Sequence, residues 1–336
     1  MKFYRKIFFP IVPVYYSVTW LRNKLYDLNI KSSVSYDFPV ICVGNLSVGG
    51  TGKTPMIEYL IRLLKDKYLV ATLSRGYKRK TKGFKLAGID DTAATLGDEP
   101  FQFYNKFKDA ILVSVDEKRV NGIKQLTALA NPPEIILLDD AFQHRKVNAG
   151  FNILLTTYNE LYTKDFVLPA GNLRESRNGA KRADVIVVTK CPKCITDAIK
   201  SEILKQINPG AHQTVFFSSI QYASEVESGA GALSVESLPA FTLVTGIAKP
   251  EPLVQFLEGK SLEFDHLNFK DHYDFSKEDV ENIAKRDLII TTEKDYMRLK
   301  QYTVLKDKLY YLPIRATIDN ASDFNQLVKN FVGLKF

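Results

Sequence analysis

The sequence predicts an α/β protein whose main sheet is parallel, and two features carry that prediction. Short apolar runs alternate with amphipathic stretches along most of the chain, which is typical of repeated β–α–β units. A glycine-rich turn also follows the first such run and precedes a helical stretch with proline in its first turn. With 45% apolar and 25% charged residues, the 336-residue chain has a globular composition.

Residues 1–31 are predicted to form a helix at a membrane interface. The run Ile7–Leu21 carries no charge, is rich in aromatic residues and has basic residues on both sides. It is shorter than the roughly 18–20 apolar residues that a spanning helix needs. Pro10 and Pro13 indicate a break, so we expect the helix to begin near Val14. The alternative is a helix that packs only on its own domain.

The remaining chain is predicted to form two domains, a core at residues 32–212 and a smaller α/β domain at residues 213–336. Ser224–Ser237 is small, acidic and weakly patterned, which favours a loop at the junction. A helix is predicted at Cys194–Gln206. The predicted strands are Pro39–Val43, Val70–Ser74, Ile111–Ser114, Ile135–Leu138, Asn152–Leu155, Asp184–Thr189, Gln213–Gln221, Phe241–Thr245, Leu288–Thr292 and Leu309–Leu312.

The segment Gly44–Pro55 combines a strand, a glycine-rich turn and a helix start, which predicts a P-loop NTPase core. The backbone N–H groups of Gly49, Gly50, Thr51 and Gly52 would surround phosphates at the positive end of the helix. Lys53 would reach the β- and γ-phosphates, and Thr54 would bind Mg²⁺. The first glycine of the usual motif is Ser47 here.

Two carboxylates, Asp139 and Asp140, end the apolar strand that starts near Ile135. Beside a P-loop, at the carboxyl edge of a sheet, such groups hold Mg²⁺ directly or through water. Most GTPases read guanine with an Asn-Lys-x-Asp motif, and the nearest sequence here, Thr292–Asp295, lacks the Asn. Adenine is therefore the expected base, and ATP with Mg²⁺ the expected ligand.

The net charge of +8 suits nucleic acid, an anionic membrane or a phosphorylated substrate, and does not choose among them. Three cysteines are too few for a disulfide scaffold and fit a reducing compartment. Cys191 and Cys194 have the spacing of half a zinc site, but no second pair completes it, so a loop is expected there.

Seven segments spread along nearly the whole chain are distinctive: Gly44–Pro55, Leu73–Tyr77, Gly97–Pro100, Leu138–Arg145, Leu168–Glu175, Asp271–His272 and Thr292–Asp295. Taken together, they resemble the tetraacyldisaccharide 4′-kinase (lipid A 4′-kinase) family. Ala141 and Ser176 depart from the family's usual Gly and Pro without removing a functional group.

The resemblance implies transfer of the ATP γ-phosphate to the 4′-hydroxyl of a tetraacyldisaccharide 1-phosphate, at the cytoplasmic face of the inner membrane. It implies Asp98 and His272 as the catalytic pair, with Asp98 taking the hydroxyl proton. Mg²⁺ would be surrounded by Thr54, Asp139, Asp140 and Glu175. The phosphate charge would be faced by Lys53, Arg119 and Arg174. The metal would be supported, or the substrate contacted, by Gln143 and His144.

We expect a monomer that binds a lipid disaccharide and the membrane surface but no nucleic acid. Two other functions stay open on the residues alone. One is a nucleotide-switched membrane adaptor ATPase, against which Val48 argues because that class has Lys at this position. The other is a soluble small-molecule kinase whose N-terminal helix belongs to the core.

Overall fold

The structure is a computed structural model that describes residues 7, 10–229, 231–271 and 273–335. All the predicted strands are confirmed. The strands are β1 (Val40–Asn45), β2 (Val70–Ser74), β3 (Lys85–Leu86), β4 (Leu112–Val115), β5 (Ile135–Asp139), β6 (Phe151–Thr157), β7 (Val185–Thr189), β8 (Thr214–Tyr222), β9 (Glu225–Ser228), β10 (Gly231–Ser234), β11 (Phe241–Thr245), β12 (Phe264–Asn268), β13 (Ile289–Thr292), β14 (Leu309–Leu312) and β15 (Ile314–Ile318).

The helices include the one predicted near Cys194, which begins three residues later. They are α1 (Val12–Asp27), α2 (Lys53–Leu64), α3 (Ala93–Leu96), α4 (Asp98–Phe107), α5 (Arg119–Thr127), α6 (Asp197–Ile207), α7 (Glu251–Glu258), α8 (Lys277–Ala284), α9 (Glu293–Leu299) and α10 (Ala321–Gly333).

The larger sheet has the order β15-β8-β7-β6-β1-β5-β2-β4-β3 in the described part of the chain. Its interior strands pair in parallel, and antiparallel β3 and β15 form its edges. The central strands β1, β2 and β5, and also β7, are buried along their whole length because helices cover both faces. Apolar residues of α2 and α10 pack on one face, and those of α5 and α6 pack on the other. The carboxyl ends of β1 and β5 therefore open at one edge, where ligands bind in such sheets.

A second sheet, in the order β10-β9-β14-β13-β11-β12, follows in the chain. The prediction of a loop at Ser224–Ser237 is wrong, because β9 and β10 form a hairpin there and β9 also pairs with β14. Val226 is completely buried, while Glu225 and Glu227 on either side are exposed. One apolar residue between two acidic ones was too short an alternation to indicate a strand.

The predicted boundary at residue 212 does not coincide with the point at which the chain passes from the larger sheet to the second one. Strand β8 belongs to the larger sheet, and so does β15, which pairs with it along five residues. Helix α10 packs on α2 through Phe324 and Val328. The chain thus leaves the larger sheet after β8 and returns to it at β15, and the independence of the second unit stays a prediction.

Helix α1 begins at Val12 rather than Val14, with Pro13 in its first turn. Proline is tolerated there because the first N–H groups of a helix have no partner within it. Within the described residues, no helix has both the length and the apolar content that crossing a membrane requires.

A buried charge network joins helices of the two units. Lys106 on α4 contacts Glu58 on α2 at 2.8 Å and Glu293 on α9 at 2.5 Å. Both carboxylates are at least 95% buried. Burial and the charge of Glu58 raise the pKa of Glu293 to about 7, although Lys106 opposes the shift. The ammonium group therefore holds together two carboxylates that would otherwise repel each other.

Lys106→Met is expected to lower the free energy of unfolding by about 3 kcal/mol at pH 8, because a charged Glu293 is then buried without its cation. The loss should be smaller at pH 5. A raised pKa means that the folded state holds the proton more tightly, so the contribution of Glu293 favours folding at low pH and is lost as pH rises. Chemical denaturation at both pH values measures this. The exposed Lys329→Met is the control, and an equal loss at both pH values would contradict the network.

Candidate active site

The loop between β1 and α2 has the geometry that phosphate binding needs. Gly52 has φ +87°, in the left-handed region that favours glycine, and it immediately precedes the first turn of α2. Lys53 and Thr54 open that helix. Gly44 is required for another reason, since a Cβ on it would lie 2.6 Å from Cβ of Phe142. Its lack of a side chain lets β1 approach the segment after Asp140.

Hydrogen bonds from three segments hold the loop in place, two of the segments through side chains and one through the backbone. Asn45 donates to the Ser47 carbonyl at 2.7 Å and to the Thr51 hydroxyl at 2.8 Å. Thr189, at the end of β7, donates to the Thr51 carbonyl at 2.8 Å. Val48 N–H donates to the Asn172 carbonyl at 2.8 Å. The loop is therefore held from outside. Within it, the Thr51 N–H, predicted to face phosphate, donates to the Gly49 carbonyl at 3.1 Å in this structure.

The two predicted metal-binding aspartates lie beside this loop because β5 is the neighbour of β1, with Asp139 opposite Val43. Asp140 Oδ1 lies 3.6 Å from Lys53 Nζ and 2.8 Å from an Arg174 guanidinium nitrogen. Asp139 Oδ2 accepts from the hydroxyl of Ser74 at 3.2 Å. Lys53, Arg174, Asp139 and Asp140 are thus brought together as predicted.

The environment of Asp139 fits a cation. Its Oδ1 is buried and has no partner among the described residues. Burial, followed by the charge of Asp140, raises the pKa of Asp139 to about 6. Lys53 and Arg174 hold the pKa of Asp140 below its usual range against the effect of burial. A metal ion here would supply the positive charge that Asp139 lacks.

The described residues contain no cluster of three or more acidic, His or Cys side chains suited to a metal. A cation beside Asp139 and Asp140 would thus take most of its ligands from phosphate, water and the Thr54 hydroxyl. Mg²⁺ accepts such a ligand set, because it keeps water and substrate phosphates alongside one or two carboxylates.

Glu175 is placed differently from its prediction as a metal ligand. Arg182 contacts it at 2.8 Å, Gln143 donates to Oε1 at 3.1 Å, and Asn23 of α1 donates to Oε2. Both oxygens are occupied by protein donors, and the side chain is buried. A metal-binding role is therefore not supported, and Glu175 instead anchors the segment that carries Arg174.

Arg119 also differs from its prediction as a phosphate-facing cation. Its side chain is 98% buried, and it donates to the carbonyl oxygens of Asp116 and Asp139. Burial lowers its pKa, while the charges of Asp139 and Asp140 oppose that shift. Arg119 therefore supports the end of β5 through the Asp139 carbonyl, and its charge offsets those of Asp139 and Asp140.

Gln143 links the phosphate loop to Arg174, and the next residue, His144, is partly buried. Gln143 donates to the Asn45 carbonyl at 2.8 Å and accepts from Arg174. Burial, with the nearby charges of Arg119 and Arg22, lowers the pKa of His144 to about 4, so its ring is neutral. Gln143 thus bonds to residues at both sides of the site, and the predicted roles of Gln143 and His144 in supporting the metal or touching substrate stay predictions.

Asp98 opens helix α4 and forms an ion pair with Arg298 of α9, whose Nε lies 3.1 Å from Asp98 Oδ2. Its neighbour Glu99 contacts Lys294 at 3.1 Å and is one of the charges that raise the pKa of Asp139. The start of α4 therefore lies within electrostatic reach of the aspartate pair. The predicted partner of Asp98, His272, lies outside the described residues.

Sequence reasoning missed roles for Ser74, Thr189 and Arg298. Ser74 and Thr189 each end a parallel strand of the large sheet, and that position alone could have indicated the site. Arg298 is 200 positions from Asp98 in the chain and gave no signal.

The chain matches the profile of the family described as tetraacyldisaccharide-1-P 4′-kinase over residues 4–333. A tetraacyldisaccharide 4′-kinase of Flavobacterium johnsoniae is 51% identical over 338 residues, which cover 99% of this chain and 98% of the relative. One of Bacteroides thetaiotaomicron is 44% identical, over 97% of this chain and 93% of the relative.

The structure is also similar to the crystal structure of LpxK from Aquifex aeolicus in complex with ATP. The TM-score is 0.78 at 29% sequence identity, and the match covers 98% of this chain and 99% of the other. Profile, relatives and fold agree over nearly the full length. The chain belongs to the tetraacyldisaccharide-1-P 4′-kinase family.

Proposed function

We propose that this protein is an ATP-dependent kinase that transfers the γ-phosphate of ATP to the 4′-hydroxyl of a tetraacyldisaccharide 1-phosphate in lipid A synthesis. The observation that carries the proposal is the aspartate pair beside the braced P-loop, in a chain 51% identical to a tetraacyldisaccharide 4′-kinase. That arrangement supports binding of a triphosphate together with a divalent cation.

The proposed roles follow from the contacts. Lys53 and Arg174, which share Asp140 in this structure, turn to phosphate oxygens when ATP is bound. Asp139, Asp140 and Thr54 hold Mg²⁺, which would offset the charge of the phosphates. Loop N–H groups at the start of α2 orient the triphosphate, and positioning with charge stabilisation is most of what phosphoryl transfer needs.

Asp98 is the proposed acceptor of the 4′-hydroxyl proton, with His272 as its partner. The guanidinium group of Arg298 favours the charged carboxylate, which is the form that accepts a proton.

Helix α1 supports a membrane-bound location for the reaction. Its inner face is bonded to the protein, since Tyr15 donates to the Arg174 carbonyl and Arg22 to the Gln143 carbonyl. Its outer face exposes more than half of the side-chain surface of each of four apolar residues at helical spacing: Ile11, Val14, Val18 and Leu21. An apolar outer face flanked by basic residues fits the headgroup region of a bilayer. We infer a monomer on the cytoplasmic face of the inner membrane.

The kinase assay tests the function directly. Wild-type protein incubated with ATP, Mg²⁺ and the lipid disaccharide 1-phosphate should give a bis-phosphorylated product by mass spectrometry. Lys53→Ala and Asp98→Ala should each lose at least about 100-fold in activity, because each removes a group that acts on the reacting atoms. Lys65→Ala, at the other end of α2, is the matched control. Wild-type protein that gives no product would refute the proposal, and a fully active Asp98→Ala would remove that role.

The pH dependence of nucleotide binding tests Asp139. Its raised pKa of about 6 means that the carboxyl is protonated at lower pH and then binds metal poorly. The affinity for MgATP should fall between pH 7 and pH 5 by up to about tenfold per pH unit. Asp139→Asn over the same range controls for the titration of ATP itself. A wild-type-to-variant affinity ratio that does not change with pH would contradict this role.

Flotation with anionic vesicles tests the outer face of α1. Replacing Val14, Val18 and Leu21 together by Ser should weaken vesicle binding about 100-fold, because three partly inserted apolar side chains are lost. Ile89→Ser with Val304→Ser is the control, since these apolar residues are also exposed but lie elsewhere. Equal flotation of both variants would count against insertion of α1.

A further inference from the structure

Lys190, directly after β7, is held in an unusual conformation above the phosphate loop. Its φ is +57°, in the left-handed region that side-chain-bearing residues rarely adopt. Its Nζ lies 3.8 Å from the position that a Cβ on Gly50 would occupy. No hydrogen bond or ion pair to this ammonium group occurs among the described residues. Such strain persists where the structure holds a side chain for a function.

The order of the strands shows which end of a nucleotide this lysine faces. The larger sheet runs β7-β6-β1-β5, so Lys190 and the aspartate pair lie on opposite sides of the loop that follows β1. The γ-phosphate and its metal belong on the β5 side, beside Asp139 and Asp140. A triphosphate that starts there and crosses the loop directs its nucleoside toward β6 and β7.

The neighbour of Lys190 ties this segment to the loop. Thr189 donates to the Thr51 carbonyl at 2.8 Å, so β7 and the loop are fixed relative to each other. The backbone at Lys190 is therefore fixed relative to the loop, and the exposed side chain extends from it toward Gly50. Residues 189–192, Thr-Lys-Cys-Pro, contain no carboxylate that could accept the N–H donors of guanine.

We propose that Lys190 binds the nucleoside end of ATP, an inference that rests on the proposed function. The ammonium group donates to ribose oxygen atoms, and the alkyl stem packs against one face of the adenine. Lys190 contributes to nucleotide affinity without touching the transferred phosphate. It thus complements Lys53, which acts at the other end of the same ligand.

The test compares ATP with inorganic tripolyphosphate, which has the phosphates but no nucleoside, by calorimetric titration with Mg²⁺ present. Lys190→Gly should bind ATP about tenfold more weakly and tripolyphosphate as well as wild type does. Because glycine adopts a positive φ at little cost, this variant should unfold at the same temperature as wild type or higher. Lys190→Met should recover part of the ATP affinity, since it keeps most of the stem.

Two further variants separate the possible outcomes. Lys193→Ala, an exposed lysine three residues further on, should bind both ligands normally. Lys53→Ala should lose affinity for both. Unchanged ATP affinity in Lys190→Gly would overturn the proposal, and so would an equal loss for ATP and tripolyphosphate, which would place Lys190 on the phosphates. Wild-type protein that binds neither ligand would instead refute the nucleotide site itself.

Discussion

Two adjacent carboxylates at the end of β5 set the requirement that the rest of the site meets. Asp140 is neutralised by Lys53 and Arg174, which come from the loop helix and from a distant segment. Asp139 accepts a hydrogen bond from the Ser74 hydroxyl, and the charges of Lys53 and of buried Arg119, which bonds to its backbone, act on it from a distance. Asp139 Oδ1 therefore has no partner among the described residues, and a cation bound there would offset the mutual repulsion of the two carboxylates.

The phosphate loop is rigid because its supports come from separate parts of the large sheet. Asn45 precedes the loop, Thr189 ends β7, and Asn172 belongs to a segment between β6 and β7. None of these contacts uses the loop N–H groups that would face phosphate. A loop fixed in this way requires little rearrangement when charge develops on its ligand, which is the basis of electrostatic preorganisation.

The strands and the loop could be predicted because their signals are local. The apolar runs around β1 and β5, the glycines before Lys53 and the two aspartates after β5 each act on the chain next to them. Glu175 and Arg119 show where local reasoning fails. Each is a charged residue in a predicted site segment. In the structure, however, the Glu175 side chain faces Arg182, and the Arg119 side chain faces the carbonyl of Asp139. Sequence spacing does not show which partner a charged side chain will face.

The hairpin of β9 and β10 and the pair of Asp98 with Arg298 were missed for related reasons. The hairpin depends on one buried side chain, Val226, and on a strand, β14, that lies about 80 residues later. The ion pair joins α4, which follows strands of the larger sheet, to α9, which follows a strand of the second sheet. Contacts between residues so far apart in the chain depend on the folded topology, and no sequence periodicity predicts them.

Helix α1 is bonded to the same segment that supports the phosphate loop. Tyr15 and Asn23 bond to residues 174 and 175, and residue 172 accepts the hydrogen bond from Val48 in the loop. A protein docked through α1 would thus hold its nucleotide at a fixed height and tilt above the lipid headgroups. The fold would then determine how far a sugar hydroxyl must lie above the bilayer to reach the nucleotide. A protein attached to the membrane by a flexible tether would leave that distance undefined.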